Sequence, residues 1–79
     1  MHHDLLNTQY SERIKLDKLG DYKVSTVLLK NTLTEWGNYE TMIMYKEEFL
    51  DYQERCDTLD EAYDQHEQGI TYVMIRDKE

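Results

Sequence analysis

Residues 10–30 read YSERIKLDKLGDYKVSTVLLK, two extended runs on either side of Gly20-Asp21. In the first, Tyr10, Glu12, Ile14, Leu16 and Lys18 share one parity, the period of a strand with mixed faces. The second, Tyr22 to Lys30, contains Val24, Thr26 and Val27, whose branched, stiff side chains suit a pleated surface. Glycine accepts the backbone of a tight reversal without steric cost. The two runs are therefore expected to pair as a hairpin turning through Leu19-Gly20-Asp21.

Working outward, Asn31 to Asn38 (NTLTEWGN) has no regular period, an Asn at each end and a Gly, and reads as a connecting loop. Tyr39 to Tyr45 (YETMIMY) alternates again, with Tyr39, Thr41, Ile43 and Tyr45 on one face and Glu40, Met42 and Met44 on the other. Lys46 to Leu50 reads as a turn or a single helical turn, and Tyr52 to Cys56 as a short fourth strand. Residues 1–9 show no period and form an irregular lead, leaving 10–79 as one domain.

At Thr58-Leu59-Asp60-Glu61 the sequence matches a capping box, in which the Thr58 hydroxyl accepts from the Glu61 amide and the Glu61 carboxylate reaches back. Asp60 and Glu61 also complement the positive end of the helix dipole, and Arg76 and Lys78 its negative end. Leu59, Ala62, Tyr63, His66, Ile70 and Val73 recur at helical spacing as the stripe expected to lie on the sheet. Gly69 within the helix costs about 1 kcal/mol relative to Ala, so a close contact or a kink is expected there. The fold class is α+β: a three- or four-stranded antiparallel sheet packed on one face by a C-terminal α-helix. Its second face should carry Tyr and Met side chains, which a partner or a second copy in a homodimer would cover.

Charge is unevenly distributed. From Glu35 to Glu67 eleven carboxylates oppose two cations, Lys46 and Arg55, a local net of −9; the remaining six acids and seven cations give +1, and together −8. Such a surface attracts cationic partners and repels phosphates, so direct nucleic-acid binding is not expected. The 79 residues make one small domain without room for a deep cavity. One cysteine, Cys56, allows no internal disulfide, which fits a reducing compartment. No apolar run approaches the roughly 18 residues of a membrane span. No phosphate-cradling glycine loop, nucleophile elbow, HExxH or zinc-ligand spacing is present, and neither catalysis nor a cofactor is expected.

Several residues admit two readings. Trp36, beside Gly37 and near Tyr39, is either an interface anchor or a cap on the open end of the core. His66, on the apolar stripe, is read as a packed ring with one nitrogen hydrogen-bonded. Cys56 stands near a helix N-terminus and Arg55, which lower a thiol pKa, but Asp57 opposes them. His2, His3 and Asp4 sit too near the terminus to make a rigid metal site, and no metal is assigned. Asp60, Glu61, Asp64 and Glu67 fall on a solvated helix face, where they either maintain solubility or present charge at phosphate-like spacing.

The segments Val24-Ser25-Thr26-Val27, Glu40-Thr41-Met42 and Thr58-x-x-Glu61-Ala62-x-x-x-His66, in that order, resemble a family of small uncharacterised bacteriophage proteins. The resemblance covers about residues 11–70 and departs in the loop 30–38, where relatives are Gly- and Pro-rich. It implies a phage origin, hence the cytoplasm of an infected bacterial host, and no activity. The expectation is a small acidic protein that inhibits or redirects a host protein with a basic surface, possible targets being a defence or nucleic-acid enzyme. Its contact residues are expected to be Trp36 and Tyr39 as aromatic anchors and Glu47, Glu48, Asp51, Asp60, Asp64 and Glu67 as the electrostatic patch. The alternatives are an oligomer that sequesters a small ligand such as a signalling nucleotide, and a virion assembly factor.

Overall fold

In the computed structural model, which describes residues 11–29 and 38–78, the hairpin is β1 (Ser11–Leu19) and β2 (Tyr22–Leu29). It is followed by β3 (Tyr39–Tyr45), β4 (Glu48–Cys56) and one helix, α1 (Leu59–Asp77). The strands form a single antiparallel sheet in the order β1-β2-β3-β4, and α1 covers one face. This is the expected α+β architecture with four strands. The expected lead 1–9 and most of the loop around Trp36 lie outside the described residues.

Gly20 makes the first turn with φ of +63°, as its position between two strands requires. The second hairpin turn is Lys46-Glu47, with φ of 51° and 70°, so both residues adopt the positive φ that a type I′ turn demands. Neither residue is Gly or Asn, and each costs about 1 kcal/mol there. Contacts around the turn offset that strain. The Lys46 amide donates to the Asp21 carbonyl at 3.0 Å, tying the two turns together, and Lys23 Nζ meets the Glu47 carboxylate at 3.0 Å. Because the turn is so tight, β4 starts at Glu48 and not at Tyr52, a correction to the expected turn over Lys46 to Leu50.

Register assigns the faces. Tyr22, Val24 and Thr26 of β2 stand opposite Tyr45, Ile43 and Thr41 of β3, and this set lies under α1. The core is Tyr22, Val24, Ile43 and Val73, flanked by Leu19, Tyr45, Leu50, Tyr52 and Ile70. The rings of Tyr22 and Tyr45 pack at a tilt with centroids 4.6 Å apart, and Tyr52 meets Tyr72 of α1 at 4.8 Å. These tyrosines therefore line the helix side, and of the Tyr and Met side chains expected on the second face Met42 and Met44 are the ones placed there by register. In β1 the pairing shifts between Arg13 and Lys15, so Ile14 is an extra residue and the single parity expected from Tyr10 to Lys18 is interrupted.

The capping box forms as expected, with the Glu61 amide donating to Thr58 Oγ1 and the Thr58 amide donating to the Glu61 carboxylate, each at 3.2 Å. The rotation of α1 differs from expectation. Ala62, Gln65, His66, Gly69 and Val73 are buried, while Leu59 and Tyr63 are 42 % and 45 % exposed. At 100° per residue the buried stripe is turned by roughly 50° from the one drawn through Leu59 and Tyr63. Gly69 is the reason the helix sits so close: a Cβ there would lie 3.0 Å from Val24 Cγ1. Of the two outcomes expected at Gly69, the structure contains the close contact.

Candidate functional site

Polar side chains, not only apolar ones, fix the helix on the sheet. Gln65 Nε2 donates to Thr41 Oγ1 at 2.9 Å, Thr41 and Thr26 share a hydroxyl bond of 2.6 Å, and Thr26 Oγ1 lies 2.7 Å from His66 Nδ1. The other ring nitrogen, Nε2, lies 2.8 Å from Asp17 Oδ2 on β1. A carboxylate only accepts, so Nε2 carries a proton. In the neutral ring Nδ1 then accepts from Thr26, Thr26 accepts from Thr41, and Thr41 accepts from Gln65. Each proton in this relay has one acceptor, and no described side-chain atom that is fully buried lacks a partner. Both nitrogens of His66 are bonded, one more than the sequence reading expected.

The order carboxylate, imidazole, hydroxyl is also the order that activates a nucleophile. Here Thr26 is 1 % exposed and its oxygen is already engaged by Thr41, so no electrophile reaches it. The relay instead joins α1 to β1, β2 and β3 at once and sets the helix rotation. On the opposite sheet face a second polar group spans β3 and β4. Glu40, 6 % exposed, takes Arg55 Nη2 at 3.2 Å and Nε at 3.3 Å on one carboxylate oxygen, and Gln53 donates to the same oxygen. Glu40 thus spends its charge inside the fold.

Rotation of α1 determines where the acids point. Asp60, Asp64 and Glu67 lie on the side of the helix opposite Ala62, Gly69 and Val73 and are exposed. Glu67 is held by Lys15 at 3.4 Å, with both groups well exposed, a contact worth about 0–1 kcal/mol. The structure therefore brings Asp60, Asp64 and Glu67 together. It separates them from the rest of the expected patch. Glu47 and Glu48 sit at the β3–β4 turn, one length of β4 from the start of α1. Asp51 is exposed between Leu50 and Tyr52, both packed toward the helix, so its carboxylate projects from the other face. Tyr39 is half-buried at the start of β3, opposite Cys56. Trp36 lies outside the described residues.

Cys56 is half-buried, and its thiol pKa is raised, first by burial and then by the Glu61 and Asp57 carboxylates, which the backbone at Thr58 does not offset. Cys56 is expected to react with iodoacetamide more slowly than an unperturbed thiol at neutral pH, and to gain rate at more alkaline pH, because the thiolate is the nucleophile. A pH–rate profile at or below the ordinary thiol value would contradict this. Tyr52 is shifted in the same direction by burial, with smaller contributions from Glu54 and Tyr72.

The sequence reading missed Thr26, Thr41, Gln65 and Asp17 as partners of His66. A usable signal was present: Thr26 and Thr41 occupy the same parity as Val24 and Ile43, so two hydroxyls had to be buried beside the only His of the helix. The described helix is not long and apolar enough to cross a membrane. Comparison with protein-family models, with curated proteins and with solved structures finds no match to this chain.

Proposed function

We propose that this chain is a small phage-encoded binding protein that acts in the infected cell by occupying a basic surface of a host protein, with the outer face of α1 as the contact. The observation that carries the reading is the placement of Asp60, Asp64 and Glu67 along the exposed side of a helix whose rotation is locked by buried hydrogen bonds. A rigid row of carboxylates loses little conformational freedom on binding and steers cationic surfaces by long-range attraction. The helix has one Lys or Arg, Arg76 in its last turn, so the row is not neutralised along its own element.

The test is the triple variant D60N/D64N/E67Q, compared with wild type as bait in bacterial lysate at low and high ionic strength. Three rim charges contribute on the order of 1–2 kcal/mol together, so the variant should bind its basic partner about tenfold more weakly, with a flatter salt dependence. All three side chains are exposed, and losing Asp60 from the first turn and the Lys15–Glu67 contact should cost no more than about 2 kcal/mol of folding stability. Equal retention of the same proteins by both baits, with the same salt dependence, would remove the acidic row from the account.

A further inference from the structure

One face of the sheet lies under α1; no described element covers the other. Its side chains follow from register in three cross-strand rows: Lys18, Lys23, Met44 and Phe49; Leu16, Ser25, Met42 and Gln53; and Arg13, Val27, Glu40 and Arg55. Leu16 and Met42 lie at the centre beside Ser25 and Gln53, and Phe49 is 62 % exposed. Four cations, Arg13, Lys18, Lys23 and Arg55, stand there against three acids, Glu40, Asp51 and the Glu47 carboxylate that reaches Lys23, a net of +1. The net charge of this face is therefore opposite in sign to that of the outer face of α1, where Tyr63, Met74 and Ile75, each 45 % exposed or more, flank the acidic row. The slab is polar across its thickness.

Resting on the reading of Asp60, Asp64 and Glu67 as a binding surface, we propose that the open sheet face is the docking surface for the acidic helix of a second copy, so that copies stack head to tail. Cations at Arg13 and Lys18 meet carboxylates at Asp60 and Asp64, and Met42, Met44 and Phe49 meet Tyr63 and Met74. A two-fold dimer through two sheet faces would bring like charge against like charge, whereas the head-to-tail contact joins opposite signs. A contact between two different surfaces of one chain does not close on itself and propagates. The docked surface is limited by the 19-residue helix, which at a rise of about 1.5 Å per residue and a width of about 10 Å gives a footprint of about 300 Å² per copy. Two such surfaces total about 600 Å², below the size of stable specific interfaces, so the association is weak, reversible and salt-sensitive.

The experiment is sedimentation velocity on the full chain and on two charge-reversed variants, R13E/K18E and D60K/D64K, all four positions being exposed. Wild type should gain weight-average mass with concentration at low salt and return to monomer at high salt. Each variant alone should remain monomeric, because each sets like charges against each other across the contact. Mixing the two should restore growth, since a lysine-bearing helix then meets a glutamate-bearing sheet. Wild type that stays monomeric at every concentration, or a closed dimer that D60K/D64K leaves intact, overturns the proposal. Either result leaves the host-binding reading to its own capture experiment, and equal host capture by wild type and D60N/D64N/E67Q together with intact mixing rescue would overturn that reading alone.

Discussion

His66→Ala is expected to lower stability by about 3–5 kcal/mol, through the cavity left by a fully buried ring and the Thr26 hydroxyl left without its acceptor. For a chain of 79 residues the whole folding free energy is on the order of 4–12 kcal/mol, so the variant should be largely unfolded or close to it at physiological temperature. Urea denaturation measures the loss. Asp17→Asn provides the contrast: Asp17 has a side chain 37 % exposed, and an amide oxygen still accepts from Nε2, so the cost should stay near 1 kcal/mol or less. A loss below about 1 kcal/mol for His66→Ala would mean that the relay does not hold the helix.

Gly69→Leu is expected to be as damaging for a different reason. Even the Cβ of alanine would meet Val24 Cγ1 at 3.0 Å, Thr41 Cγ2 at 3.5 Å and Ile43 Cδ1 at 3.9 Å. Val24 sits on a central strand at 0 % exposure, with a branched side chain that is stiff about χ1. Gly69→Ala sets a gain of about 1 kcal/mol in helix propensity against an overpacking cost of about 1–3 kcal/mol, and the net should be a loss. Leucine adds three more carbons at the same place and must lift α1 from the sheet, breaking the bonds of Gln65 and His66 with it. A fall in melting temperature beyond about 15 °C is expected for Gly69→Leu, since each kcal/mol shifts a domain of this size by about 4–8 °C. Unchanged melting of both variants would show that the helix does not approach the sheet at Gly69.

These two positions also show how far the sequence could be read. The first hairpin, β3 and the capped start of α1 were legible because each carries a local signal: Gly20 at a reversal, alternation through Tyr39–Tyr45, and Thr58 three residues before Glu61. The start of β4 was not, because Lys46 and Glu47 adopt left-handed backbone without the Gly or Asn that usually marks it. The helix rotation was misread by ranking residues on apolarity. Leu59 and Tyr63 looked like core, whereas Gln65 and Gly69 are buried for hydrogen bonding and for close approach. Local propensity does not encode such tertiary contacts. Of the expected binding residues, the row Asp60, Asp64 and Glu67 was legible from spacing alone. The scatter of Glu47, Glu48 and Asp51 over the turn and the far face depended on the length and register of β4.

The placement of the acidic row depends on one thing, the rotation at which α1 is locked to the sheet, and the tautomer of His66 reports it most directly. With histidine labelled by ¹⁵N, and the signal assigned by its loss in a His66 variant, a single ring form is expected in the neutral state. Nε2 carries a slowly exchanging proton and Nδ1 accepts from the Thr26 hydroxyl. A proton on Nδ1 in the neutral ring, or two tautomers averaging rapidly in exchange with solvent, would contradict the relay and the outward placement of Asp60, Asp64 and Glu67.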